Sequence, residues 1–136
     1  MRLTMSLIKA DMIAARQAID YYAEKGIKDI KNIAAYHIQQ AAEKLIKIQI
    51  YASGTPIDYA SLYTHNIEKL LFYAESIDVS LIVPKYIRDN SLVLTEWEAG
   101  SRYDIGFRIR IDTLKKAADE LEMWYDEVLA AGIKEA

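Results

Sequence analysis

Two histidines, His37 and His65, are the only imidazoles in this 136-residue chain, and cysteine is absent. Proton transfer near neutral pH therefore falls to one of those two rings. Thiol catalysis, disulfides, zinc–cysteine sites and iron–sulfur centres are excluded in one step. His37 stands in a run with Gln40, Lys44 and Lys47, spaced three, four and three positions apart, so the four share one ridge of a helix. Together with Tyr36 and Glu43 they form a polar wedge. Its chemistry suits a phosphate or nucleotide cleft: the lysines supply point charges, His37 donates or accepts, and Gln40 reads a base edge or a ribose hydroxyl. The plainer alternative is a solvated face on a helix packed to either side.

A second cluster follows the fourth predicted helix. Arg102, Arg108 and Arg110 are interleaved with Tyr103 and Phe107. Guanidinium groups pair phosphates and rings stack bases, so the segment reads either as an anion- and base-binding loop or as a bundle corner with solvated arginines. His65 follows Thr64, a predicted N-cap, where capping and packing outweigh catalysis as its expected role. One His-x-x-Glu pair, His65 and Glu68, is too little for a metal site, and no glycine-rich phosphate loop or Ser-His-Asp pattern is present. No metal and no cofactor are expected.

The elements that must position these groups are read from glycine and proline punctuation. Helices are predicted over Leu3–Lys25, Asp29–Ser53, roughly His65–Ile77, Pro84–Ala99 and Asp112–Ala131. Gly26, Gly54, Gly100 and Gly132 end four of them, and Gly106 sits in a loop. Thr55–Tyr63 reads as a longer loop. Val79–Val83 and Phe107–Ile111 resemble strands but are too short to build a sheet. The result is an all-α, antiparallel up-and-down bundle of four to five helices in a single domain over 1–136.

The second helix is predicted to be central. Ile30, Ala34, Ile38, Ala41, Leu45, Ile48 and Ala52 fall in one arc, with Ala35, Ala42, Ile46 and Ile50 beside them. Gln39 lies within the apolar arc and needs a hydrogen-bond partner. Tyr21, Tyr22, Tyr36, Trp97, Trp124 and Tyr125 occur at helical spacings among aliphatic residues and read as core or interface.

Hydrophobic residues at 52% and charged residues at 27% exclude global disorder, and a net charge of -3 excludes a histone-like coat. Nucleic-acid contact would need a local basic patch. Lys9, Asp11 and Arg16 interrupt the N-terminal apolar pattern, so neither a signal peptide nor a membrane span is expected. The chain reads as cytoplasmic.

Three stretches, AYHIQQAAEKLIKIQIYASGTP, THNIEKLL and EWEAGSRYD, resemble the HEPN family. The matching residues are Gln39, Gln40, Ala41, Ala42, Glu43 and Lys44, then Thr64 and His65, then Arg102 and Tyr103. The resemblance covers residues 1 to about 130 and implies a helical bundle, commonly dimeric. It also implies either a small nucleotidyltransferase partner or an RNA-cutting toxin. RNA-cutting members carry a histidine shortly after an arginine; after Arg102 those positions hold Phe107, Arg108 and Ile109. Asp104 stands where many relatives have proline.

Three classes fit: a nucleotide- or RNA-binding accessory protein in a toxin–antitoxin-like or defence module, a HEPN ribonuclease with a rearranged site, and a ligand-free helical adaptor. The first is favoured. Its expected ligand contacts are His37, Gln40, Lys44, Lys47, Arg102 and Tyr103. Arg102, His65 and His37 are the only catalytic candidates. A homodimer using the fourth helix and the Arg102 loop is expected, with no membrane partner.

Overall fold

In the computed structural model, residues 3–103 and 107–135 are described, apart from the Tyr103 side chain. The expectations placed on Asp104 and Gly106 lie outside them. Helix α1 (Met5–Lys25) starts at Thr4, whose Oγ1 accepts from Leu7 N–H at 3.1 Å. Met5 N–H, otherwise without a helical partner, donates to Lys134 O at 2.8 Å, which ties the start of the bundle to its end. Gly26 terminates α1 at φ 69°, a left-handed conformation that favours glycine, and its N–H caps Tyr22 O. Ile8, Met12, Ala15 and Ile19 recur at helical spacing and are buried.

Helix α2 (Ile30–Ala52) is the centre of the molecule. It packs on α1 and on three further helices, α4 (Ile67–Ser76), α6 (Ser91–Tyr103) and α7 (Ile111–Ala130). Of the two predicted arcs, Ala34, Ala35, Ile38, Ala41, Ala42, Leu45, Ile46, Ile48 and Ile50 are fully buried, whereas the ends of the first arc are not: Ile30 is half-buried and Ala52, in the last turn, is exposed. The alanines have little side chain to interpose, so neighbouring backbones come close. The four-residue connection to α1 makes those two helices antiparallel neighbours, and α7 returns to α1 and α2.

Between α2 and α4 the loop contains a short turn, α3 (Tyr59–Leu62), that the sequence pattern did not predict. Asp58 Oδ1 accepts from Ala60 N–H, and Tyr73 OH on α4 accepts from Asp58 N–H at 2.7 Å. Helix α4 begins later than predicted. Asn66 is its N-cap, accepting from Lys69 N–H at 3.0 Å, while Thr64 Oγ1 serves Asn66 N–H instead. His65 is therefore in the turn before the helix.

Two other boundaries also shift. The predicted fourth helix divides at Asn90 into α5 (Lys85–Asp89) and α6. Gly100 lies inside α6; a Cβ there would come within 2.8 Å of the Phe107 ring, so the glycine makes room for that ring rather than ending the helix. The apolar segment 79–83 forms no strand. Gln49 clamps it, accepting from Ile82 N–H at 2.7 Å and donating to Ile82 O at 3.0 Å, and Trp124 Nε1 donates to the same carbonyl. Side chains thus do the work of a partner strand. Among the described residues the fold is helical without named strands, as predicted, and no helix is long and apolar enough to cross a membrane.

Candidate functional site

The polar wedge of α2 is not a solvated face. Gln39, Gln40 and Glu43 are buried, and Lys44 and Lys47 are only partly exposed. Buried polar groups need partners; α2 draws them from α1 and from the turn before α4, and α6 joins the network through His65. From α1 comes Asp11: its Oδ2 accepts from Lys44 Nζ at 2.6 Å, and its Oδ1 lies 2.9 Å from His37 Nδ1. From the turn before α4 comes His65, whose Nδ1 lies 2.7 Å from Glu43 Oε1 and whose carbonyl accepts from Gln39 Nε2 at 2.9 Å. That carbonyl is the partner that Gln39 was predicted to need. From α6 comes Glu98, buried and hydrogen-bonded to Arg102, with its Oε1 3.8 Å from His65 Nε2.

Lys47 Nζ completes the network with Glu43 Oε2 at 2.9 Å. Three carboxylates, Asp11, Glu43 and Glu98, thus stand among three cations, Lys44, Lys47 and Arg102. Local charge is therefore close to balanced, and the site carries no strong net field. Each ammonium carries three N–H donors, more than its carboxylate partner uses.

Beside the network opens a cavity of about 530 Å³. Gln40, Lys44, Lys47 and His65 line it together with Glu43, Tyr51, Tyr59 and Tyr63. Burial, with Tyr59 adding to it, pushes the Tyr51 phenol above its ordinary value.

The predicted residues separate as follows. Gln40, Lys44 and Lys47 share the cavity wall. His37 is set back from it, held by Asp11 and edge-on to Tyr36. Arg102 does not line it; its guanidinium lies over the Tyr36 ring at 5.3 Å and is linked to His65 through Glu98. Tyr103 closes α6, and its side chain lies outside the described residues. Three tyrosines and two carboxylates escaped the sequence reading. Asp11 had a signal, a carboxylate on the core-facing side of α1, and Glu98 stood four positions before Arg102.

Among the described residues no three His, Asp or Glu side chains are grouped to hold a metal ion. An ionised Glu43 only accepts hydrogen bonds, so a neutral His65 donates to it through Nδ1, while Nε2 faces the Glu98 carboxylate at 3.8 Å.

Residues 12–130 match the HEPN domain family, a span that includes Gln39–Lys44, Thr64–His65 and Arg102–Tyr103. The chain belongs to the HEPN domain family. No curated protein and no solved structure matches it. HEPN domains have nucleotide- and RNA-related functions and commonly dimerise. The buried network runs through α2, inside the matched span, and Glu43 and Lys44 belong both to the network and to the cavity wall.

Proposed function

We propose that this HEPN protein is a nucleotide- or RNA-binding accessory protein whose phosphate site is the α2 cavity. The observation that carries this reading is the presence of Lys44 and Lys47 on one cavity wall with Gln40 and His65. A phosphate takes the lysine donors left over by Asp11 and Glu43, with Arg102 nearby through Glu98 and His37 supporting Lys44 through their shared Asp11. Tyr103 is included as a contact from the end of α6. The resemblance supplies the wider setting: a small nucleotidyltransferase partner, a toxin–antitoxin-like or defence module, and a cytoplasmic homodimer. Its dimer contact is proposed on α6, which carries the larger part of the fourth predicted helix together with Arg102, and where Leu92 and Val93 are exposed with Phe72 of α4 beside Leu92. Calorimetry with nucleotides and short RNA at low salt tests the binding reading. Affinity should weaken in Lys44→Ala and Arg102→Ala; absence of binding, or equal binding by both variants, removes it.

One observation favours a second reading, a HEPN ribonuclease with a rearranged site. His65 and Arg102 approach the same Glu98 carboxylate from different elements, so a histidine stands near the arginine although none follows it in sequence. In this reading Arg102 steadies the phosphate and His65 exchanges the proton. An RNA-cleavage assay on wild type, His65→Ala, His37→Ala and Arg102→Ala separates the two.

A further inference from the structure

Tyr63 is 94% exposed and Tyr59 is 71% exposed, yet both line the cavity that holds Lys44 and Lys47. Aromatic rings left this far in water contribute little to the core. Their backbone is nonetheless firmly placed. Leu62, between them in the chain, is buried; Asp58 caps the turn and also accepts from Ser61 Oγ at 2.9 Å; Tyr73 of α4 holds Asp58 N–H. Tyr51 from α2 stands behind, its ring centroid 6.3 Å from that of Tyr59 and tilted by 32°.

We infer that Tyr59 and Tyr63 form a stacking platform, and that the cavity takes an unstacked nucleobase whose phosphate lies at Lys44 and Lys47. The inference rests on the phosphate reading proposed above and narrows it to one chemical class. Tyrosine faces attract the flat face of any base with little regard to sequence, because every base has one. Gln40, with one N–H given to Gln39 Oε1 at 2.8 Å, keeps a carbonyl and a second N–H for a base edge or ribose. A base paired within a duplex hides both faces in the stack and cannot enter. The occupant is therefore a mononucleotide or an unpaired residue of an RNA strand.

The test is a titration of the full chain with AMP, ribose 5-phosphate, a single-stranded oligoadenylate and the same strand paired with oligouridylate. AMP and the single strand should bind more tightly than ribose 5-phosphate, and the duplex should not compete. Stronger binding of AMP assigns the site to a free nucleotide, stronger binding of the strand to RNA, and either supports the platform. Tyr63→Ala should weaken AMP by about tenfold with ribose 5-phosphate affinity and thermal stability unchanged, and Tyr63→Phe should keep most of the affinity. A duplex that binds as tightly as the single strand, or AMP affinity unchanged in both Tyr59→Ala and Tyr63→Ala, overturns the platform and leaves the phosphate reading standing. No binding of any of the four ligands overturns both.

Discussion

Lys44 Nζ on α2 lies 2.6 Å from Asp11 Oδ2 on α1, and the two side chains are only 23% and 12% exposed. A residue that merely interrupts an apolar N-terminal pattern in sequence is thus the counter-ion of a lysine on the cavity wall. Removing one partner of a mostly buried pair strands the other charge. Asp11→Ala should cost about 2–3 kcal/mol, measured by denaturant unfolding. A variant as stable as wild type would mean that the pair contributes nothing to holding α1 on α2.

How far the site could be read from sequence depended on which interactions were local. The ridge of Gln40, Lys44 and Lys47 follows from helical spacing alone, and the burial of Ile38, Leu45 and Ile48 from the same periodicity. Gly26 punctuated α1 because its φ of 69° is a local requirement. The failures were contests between similar residues or contacts made by distant segments. Thr64 and Asn66 are both competent N-caps, and only the packed turn decides that Asn66 caps the helix. Gly100 looks like a helix stop until Phe107 is seen against it. Asp11, Glu98 and Tyr63 reach the site through tertiary packing, which no spacing rule along one helix reveals.

Three tyrosines set an alkaline limit. Burial leads in pushing Tyr51, Tyr86 and Tyr125 above the ordinary phenol value, with Tyr59, Glu120 and Asp126 adding to it and Lys116 opposing at Tyr86. A pKa raised in the folded state gives stability that is complete below the unfolded value and is lost as pH rises through the folded one. Stability should therefore fall as pH climbs past about 10, in step with phenolate absorbance. Tyr86→Phe should shrink that loss; an alkaline loss of the same size would refute the assignment.

Sedimentation tests the proposed dimer. Phe72 and Leu92 are 68% and 61% exposed, so charge there should not disturb the core. Wild type should sediment as a dimer at micromolar concentration, and Phe72→Asp with Leu92→Asp should give a folded monomer. A monomeric wild type, or a variant that still dimerises, contradicts the α4–α6 contact.

RNA cleavage should be far slower than in relatives that keep the arginine–histidine pair. Arg102 can steady a phosphate but stays protonated and cannot serve as a base, and Glu98 stands between it and His65. An assay on structured and single-stranded RNA checks this. Robust cleavage, lost in both Arg102→Ala and His65→Ala, would establish the rearranged nuclease instead.

The central claim is that phosphate binds at Lys44 and Lys47, and the salt dependence of single-stranded RNA affinity tests it most directly. Each phosphate contact contributes about 0.7 to the slope of log K against log salt, so Lys44→Gln with Lys47→Gln should lower that slope by about 1.4 while circular dichroism stays unchanged. Glutamine keeps a polar N–H at both positions while removing the charge, and circular dichroism of the double variant checks that its helices persist. A folded double variant with the wild-type slope, or a wild type that binds neither RNA nor AMP at low salt, would contradict the account.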